Sequence, residues 1–266
     1  MLLWLTLLVC ISMQGQEVVP LKQAHAHNDY LHSKPLLDAL EQGFCSVEAD
    51  IFLGENNALL LGHTKQELKS ERTLEALYLN PLRELARKNH GSIFLKSAGS
   101  PKTIYLFIDL KTPASTTYPV LHRLLEKYSE ILTEVRNGKV TERAVTVILS
   151  GSRPALQELA NQSPRFAAYD GRLSDLSSTV PTHLMPVISD NWQTQIRWSG
   201  LQPISPSDKQ KLDNIVKQAH KHKRKVRFWA TPEHETVWQL LHELNVDLIN
   251  TDKLSELNSF LLKQKN

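Results

Sequence analysis

The sequence predicts a single (β/α)₈ barrel, and three observations carry that expectation. Short apolar runs alternate with amphipathic stretches from one end of the chain to the other, which is the order of a parallel α/β architecture. Of 266 residues, roughly 250 remain once an N-terminal leader is set aside, the usual size of one such barrel. Polar residues with chemical potential fall at the C-terminal ends of the strand candidates, where barrels place their working groups.

The first element is the leader. Met1 to Gly15 is an apolar run too short to span a bilayer and is followed directly by polar sequence, so it reads as a secretory signal peptide. A barrel domain over residues 16–266 follows, expected to be secreted or periplasmic after cleavage. Leu7-Leu8-Val9-Cys10 is a faint lipoprotein box, and a lipid anchor at Cys10 is the alternative. No transmembrane segment is expected in the mature chain.

Eight strands are expected near Gln23–His27, Ser46–Phe52, Ile104–Asp109, Val145–Leu149, Phe166–Tyr169, Pro186–Ser189, Val226–Trp229 and Val246–Asn250, with Leu59–His63 as an extension of the second unit. Helices are expected over Pro35–Gln42, Pro81–Asn89, Tyr118–Arg136, Arg153–Asn161, Ser207–His222, Glu233–Leu244 and Lys253–Leu262. Start signals support two of them: an acid follows Ser207, and Pro232 precedes Glu233. Lys65 to Thr103 is the longest interval between strands, with a turn-rich stretch at Lys96–Pro101, and this interval is expected to hold a long loop over the barrel mouth. No internal repeat, heptad run or low-complexity tract appears, so one domain is expected.

Composition excludes several classes. Of two cysteines only Cys45 survives leader removal, so no intramolecular disulfide forms. The net charge of +3 is modest and its bases are dispersed, apart from His220-Lys221-His222-Lys223-Arg224-Lys225. At a helix C-terminus that run reads as a solvated end suited to the helix dipole. No nucleic acid and no protein partner is implied.

Side chains alternate across a strand, so in Ser46–Phe52 Glu48 and Asp50 share one face while Val47, Ala49 and Ile51 take the other. Two carboxylates buried together repel and need a cation or a shared proton. Ile104–Lys111 repeats the device: an apolar strand ends in Asp109 and Lys111. Asp109 would complete an all-oxygen cation site, and Lys111 would hold a phosphoryl oxygen. Oxygen ligands without Cys point to one hard divalent cation, Mg²⁺ or Ca²⁺. His27 and His63 at neighbouring strand ends supply a base and an acid of near-neutral pKa, a set that suits metal-assisted cleavage of a phosphodiester. The structural alternatives are core or capping histidines and a salt-bridge network of the acids inside the barrel.

Ala26-His27-Asn28-Asp29-Tyr30, Gly43-Phe44-Cys45-Ser46-Val47-Glu48-Ala49-Asp50, Gly62-His63, Tyr105–Lys111, Val226–Pro232 and Val246–Asp252 occur in order, each at a strand end. In this the chain resembles the glycerophosphodiester phosphodiesterase-like group of the PLC-like phosphodiesterases, and most of all the altered inheritance of mitochondria family with its bacterial relatives. The resemblance implies His27 and His63 as catalytic histidines and Glu48, Asp50 and Asp109 as metal ligands. It implies Trp229 as a wall of the substrate pocket, while Asn28, next to His27, is expected to orient the phosphate or to hold the metal's water. It also implies a small-molecule or lipid-derived phosphodiester substrate, hydrolysed by water or cleaved to a cyclic phosphate. Two departures bear on the substrate. His27 precedes Asn28-Asp29 where typical glycerophosphodiesterases carry Arg-Gly, and Leu36-Leu37-Asp38 replaces the usual Glu-Asn-Thr.

Asp170, Arg153 and Asn191 follow later strands, where a structural role is the plainer reading. His25 with His27 forms a His-x-His, which also opens amidohydrolase-type metal sites. That rival needs further His or Lys ligands on the middle strands, where Asp170 and Asp190 stand instead; His25 is then a packing residue behind the site. A catalytically lapsed barrel serving as a binding protein is the other alternative.

Overall fold

The computed structural model describes residues 18–95 and 100–265, so the leader with Cys10 and the tip of the Lys96–Pro101 turn lie outside the described residues. Eight parallel strands form the barrel: β1 Leu21–Ala26, β2 Phe44–Leu53, β3 Ile104–Leu110, β4 Val145–Gly151, β5 Ala167–Gly171, β6 Val187–Asn191, β7 Lys225–Trp229 and β8 Ile249–Thr251. They pair in the order β7-β6-β5-β4-β3-β2-β1-β8, and an Arg227–Leu248 bridge joins the last pair. This is a nearly closed (β/α)₈ barrel. All eight expected strands are present, and Leu59–Leu61 pairs antiparallel with β2.

Two apolar layers hold it. The larger lies between strands and helices, where outward Val47, Ala49 and Ile51 share one buried cluster with Leu79, Leu82 and Leu121. A smaller one, Phe107, Ile148, Ala168, Val187 and Leu248, fills the barrel interior. Register sets what stands above it: Phe107 and Ile148 are neighbours on β3 and β4, and two residues on, Asp109 faces Ser150. Polar side chains are therefore stacked on an apolar floor at the C-terminal end of the strands.

Two expectations need correction. The helix expected to run from Tyr118 to Arg136 spans Ala114–Glu126, and a hairpin of Glu134–Arg136 with Lys139–Thr141 follows. Asn137 (φ 51°) and Gly138 (φ 77°) adopt the positive φ that a two-residue hairpin turn requires. The turn-rich stretch Lys96–Pro101 lies largely outside the described residues. Within the Lys65–Thr103 interval a helix (Asn80–Lys88) separates the mouth side of this unit, residues 62–79, from the chain that leads into the N-terminal end of β3, where Ile104 donates to the Ala144 carbonyl. The basic run is only partly solvated. Arg224 is buried and donates to the carbonyls of Asp175, Ser178 and Val180, while His220 and Lys225 meet Asp247.

Candidate active site

Alternation on β2 turns Ser46, Glu48 and Asp50 into the barrel, and register brings Asp109 beside Asp50. One carboxylate oxygen from each of Glu48, Asp50 and Asp109 lies within 4.8 Å of the others. Cations already stand against this cluster. Buried Arg227 from β7 places Nη1 2.9 Å and Nη2 3.4 Å from the two Glu48 oxygens, and Lys111 Nζ lies 3.0 Å from both Asp50 and Asp109. The salt-bridge alternative and the clustering of acids are thus both present.

The electrostatics separate the acids. Burial raises the Glu48 pKa, but the Arg227 guanidinium outweighs it and holds the carboxyl well below its ordinary value. Asp50 goes the other way: burial and then the charges of Glu48 and Asp109 raise it, and Lys111 only partly opposes them. Burial disfavours charge on Lys111, yet Asp109 and Asp50 raise its pKa overall. Two bases against three acids leave uncompensated negative charge in an all-oxygen donor set. That chemistry fits a hard divalent cation.

Both histidines sit at the rim. His27 Nδ1 donates to Asp252 Oδ1 at 2.8 Å, and His63 Nδ1 donates to Asp50 Oδ2 at 3.0 Å. Each imidazole is oriented by a carboxylate, with Nε2 as the remaining ring nitrogen. Burial lowers the His27 pKa, but the Asp252 hydrogen bond and the Glu48 charge outweigh it, so the net shift is upward.

His25 is sealed. Fully buried, it packs edge-on against Phe107. Its Nδ1 donates to Ser46 Oγ at 2.7 Å while Nε2 accepts from Arg227 Nη1 at 2.7 Å. Burial, reinforced by the Arg227 charge, lowers its pKa to about 4, so it is neutral. A guanidinium against Nε2 bars a metal ion from that nitrogen, which removes the geometric basis of the His-x-His alternative.

The loop after β1 is fixed by Asp29, whose Oδ2 accepts from the Leu36 backbone N–H at 2.5 Å and from Tyr78 Oη at 2.7 Å. Burial pushes this carboxyl up to about 6. Asn28 takes a left-handed conformation (φ 46°), and its side-chain amide lies 3.1 Å from Tyr30 Oη; that hydroxyl donates its proton to Asp50 Oδ2 at 2.8 Å. Asn28 is thereby tied to the acid cluster through Tyr30. Trp229 lies two residues beyond the inward Arg227, under the Arg172 guanidinium at 4.9 Å.

Arg227, Tyr30 and Asp252 are functional candidates that sequence reasoning missed. Spacing gave a signal for one of them: Arg227 alternates with Trp229 and therefore shares its inward face. Gly151 (φ +66°) is required for another reason, since a Cβ there would lie 2.3 Å from Asp109 Oδ1. Asp170 is fully buried, accepting from Ser150 at 3.0 Å, Ser189 at 2.5 Å and Arg172 at 2.9 Å. Asn191 caps a short helix through the Gln193 N–H.

Comparison with known proteins places this geometry in a lineage. Residues 13–170 match the model of the AIM6-like phosphodiesterase domain. The chain belongs to the AIM6-like phosphodiesterase family. Residues 225–255 of this AIM6-like chain also match the glycerophosphoryl diester phosphodiesterase family, the segment that carries Arg227, Trp229 and Asp252. An altered inheritance of mitochondria protein 6 homolog from Arthroderma benhamiae is 30% identical, with 91% of this chain and 84% of that protein covered. The protein of that name from Saccharomyces cerevisiae is 28% identical, with 94% and 73% covered. Among solved structures, a glycerophosphodiester phosphodiesterase from Parabacteroides distasonis superposes with a TM-score of 0.57 at 15% identity, over 92% of this chain and 98% of that one. One from Agrobacterium tumefaciens gives 0.52 at 14% identity, over 90% and 100%. At those identities the likeness concerns the barrel fold.

Proposed function

We propose that this AIM6-like protein is a phosphoric diester hydrolase that depends on one divalent cation, Mg²⁺ or Ca²⁺, and acts on a glycerophosphodiester-like or lipid-derived small molecule. The observation that carries this reading is the convergence of Glu48, Asp50 and Asp109 with two rim histidines, His27 held by Asp252 and His63 by Asp50 itself. The cation, held by the three acids, would polarise a phosphoryl oxygen. His27 Nε2 takes the proton of the attacking hydroxyl, from water or from a neighbouring alcohol of the substrate. His63 Nε2 returns a proton to the departing alkoxide. Lys111 lies at the edge of the acid cluster, where its ammonium offers charge to the phosphoryl group. Asn28 and Trp229 line the approach.

No helix among the described residues is long and apolar enough to cross a membrane. Export through cleavage of residues 1–15, with the barrel over 16–266 working outside the cytoplasm, is part of the same proposal.

The test is turnover of glycerophosphodiesters, lysophospholipids and bis(p-nitrophenyl) phosphate in EDTA, Mg²⁺ and Ca²⁺, with products read by ³¹P NMR. Activity that disappears on chelation and returns with either ion supports the reading. Full activity in exhaustively chelated protein refutes the single-cation mechanism, and inactivity across the whole panel refutes the phosphodiesterase reading. A monoester product marks attack by water; a cyclic phosphate marks internal attack.

A further inference from the structure

On the far side of the mouth from the histidines, β4 and β5 each end in glycine and continue into an arginine one or two residues on. Gly151 leads to Arg153, and Gly151 itself abuts the Asp109 side chain. Arg153 therefore begins beside the acid cluster. Arg172 follows the inward Asp170 at the two-residue spacing that keeps a side chain over the barrel interior, and it stacks on the inward Trp229.

The two guanidiniums converge. Arg153 Nη1 donates to the Asp170 carbonyl oxygen, and Arg172 Nη1 donates to the same oxygen at 3.1 Å. The ion pairing of the two is uneven, although the charges of Asp170 and Asp175 both reach Arg153. Arg172 pairs with the Asp170 carboxylate at 2.9 Å, but Asp170 also serves the hydroxyls of Ser150 and Ser189. The nearby Asp175 carboxylate accepts from the Arg172 backbone N–H. Arg153 makes no ion pair among the described residues, and burial together with the Arg172 charge lowers its pKa.

Both side chains are also held in place. Arg153 lies over the Tyr169 ring at 4.5 Å and Arg172 over the Trp229 ring at 4.9 Å, so little rotamer freedom is left to lose on binding. A guanidinium carries five donors in a planar fork matched to carboxylate and phosphate, and Arg153 spends one of its donors on a carbonyl. Two preorganised guanidiniums, one of them without an ion pair among the described residues, form an anion receptor.

Resting on the phosphodiesterase reading, we propose that Arg153 and Arg172 bind a second anionic group of the substrate, so that the preferred diester carries a phosphomonoester or a carboxylate on one of its alcohols. The scissile phosphate lies at the acid cluster of β2 and β3, and the second anion lies beside it above β4 and β5. Trp229 closes the wall between Arg172 and the rest of the mouth.

The test uses three p-nitrophenyl diesters of one chain length, whose second alcohol ends in hydroxyl, carboxylate or phosphate. The leaving group is common, so differences in kcat/KM report recognition. A charged hydrogen-bond pair supports at least about tenfold discrimination, and this should appear chiefly in KM. The ranking of the two anionic esters tells a phosphate from a carboxylate ligand. In Arg153→Gln the anionic-to-hydroxyl ratio should collapse towards one, and Arg153→Lys should restore part of it; should the Gln variant fail to fold, the Lys variant's reduced ratio is the readout. Equal kcat/KM for all three esters in the wild type overturns the subsite, as does a ratio that survives in Arg153→Gln. Inactivity on all three sinks the phosphodiesterase reading alone. The subsite is then judged by calorimetry with the uncleaved phosphate-bearing ester: binding at least about tenfold tighter than to the variant supports it, and equal affinity overturns it.

Discussion

Replacing Arg227 by Met tests whether the acid cluster is stabilised by its buried guanidinium. Arg227 is 2% exposed and Glu48 4%, so neither charge is screened by solvent. With Arg227 gone and any cation chelated, Glu48 keeps only the His25 contact at 3.3 Å, and His25 loses the donor to Nε2. Removing one partner of a buried pair costs about 3–5 kcal/mol because the other charge is left uncompensated. For a chain of this size that corresponds to a Tm lower by roughly 6–20 °C. Urea unfolding in EDTA, followed by circular dichroism, measures the loss.

The double variant Glu48→Gln with Arg227→Met should recover most of it, since a neutral amide removes the stranded charge. The pH dependence gives an independent sign. A carboxyl held below its unfolded value contributes stability above that value, near 4.5 for Glu48, and loses it as pH falls through the depressed folded pKa. Without Arg227, the largest influence opposing burial on Glu48 is gone, and its pKa rises relative to the wild type. Acidification should then relieve the variant where it penalises the wild type. A loss below about 1 kcal/mol, the level of an exposed pair, with no recovery in the double variant, would mean that Arg227 does not stabilise the cluster.

Asp252→Asn should lower the His27 pKa, so the acidic limb of the kcat/KM profile moves to lower pH; a limb that stays put removes His27 as the base. Because the folded pKa of His27 is raised, its contribution to stability is present below 6.5 and fades as pH rises through the folded value. The variant should therefore lose more stability at about pH 5.5 than at about pH 8.5. His27→Ala and His63→Ala should each lower kcat by at least about 10²-fold on alkyl diesters, and a p-nitrophenyl leaving group should rescue His63→Ala alone. Rescue of the other variant swaps the two roles, and equal loss on both substrates undoes the assignment. Gly151→Ala places a Cβ 2.3 Å from Asp109 Oδ1 at φ +66°. It should weaken Mg²⁺ or Ca²⁺ binding by calorimetry while costing about 1–2 kcal/mol of stability; unchanged cation affinity would detach Asp109 from the ligand set.

How legible a residue's role is in the sequence depends on how far that role is set by its neighbours along the chain. Strand alternation and apolar runs are local, so the eight strands and the shared face of Glu48 and Asp50 are legible in the residue pattern alone. The histidine positions are legible for the same reason, each standing at the end of a strand-like run. Arg227 is not, because its role depends on β7 facing β2 across the barrel, 179 residues from Glu48. Asp252 is separated from His27 by 225 residues, and only the closure of β8 against β1 brings them together. Tyr30 is hidden differently. A tyrosine in a loop carries no periodic signal, and its hydroxyl reaches Asp50 only because Asp29 fixes the turn through Leu36 and Tyr78.

The end of the helix expected to reach Arg136 does have a local signal, but a weak one. Asn137-Gly138 is a hairpin turn pair, and the helix-forming residues before it outweigh it in a reading by propensity. Turn-rich composition marks a connection without saying at which end of a barrel it lies, and only the alternation of strand and helix decides that. Sequence thus locates the acids and histidines that the proposed chemistry uses. Barrel closure supplies the charges that set their protonation, and the same closure brings Arg153 and Arg172 onto one carbonyl oxygen.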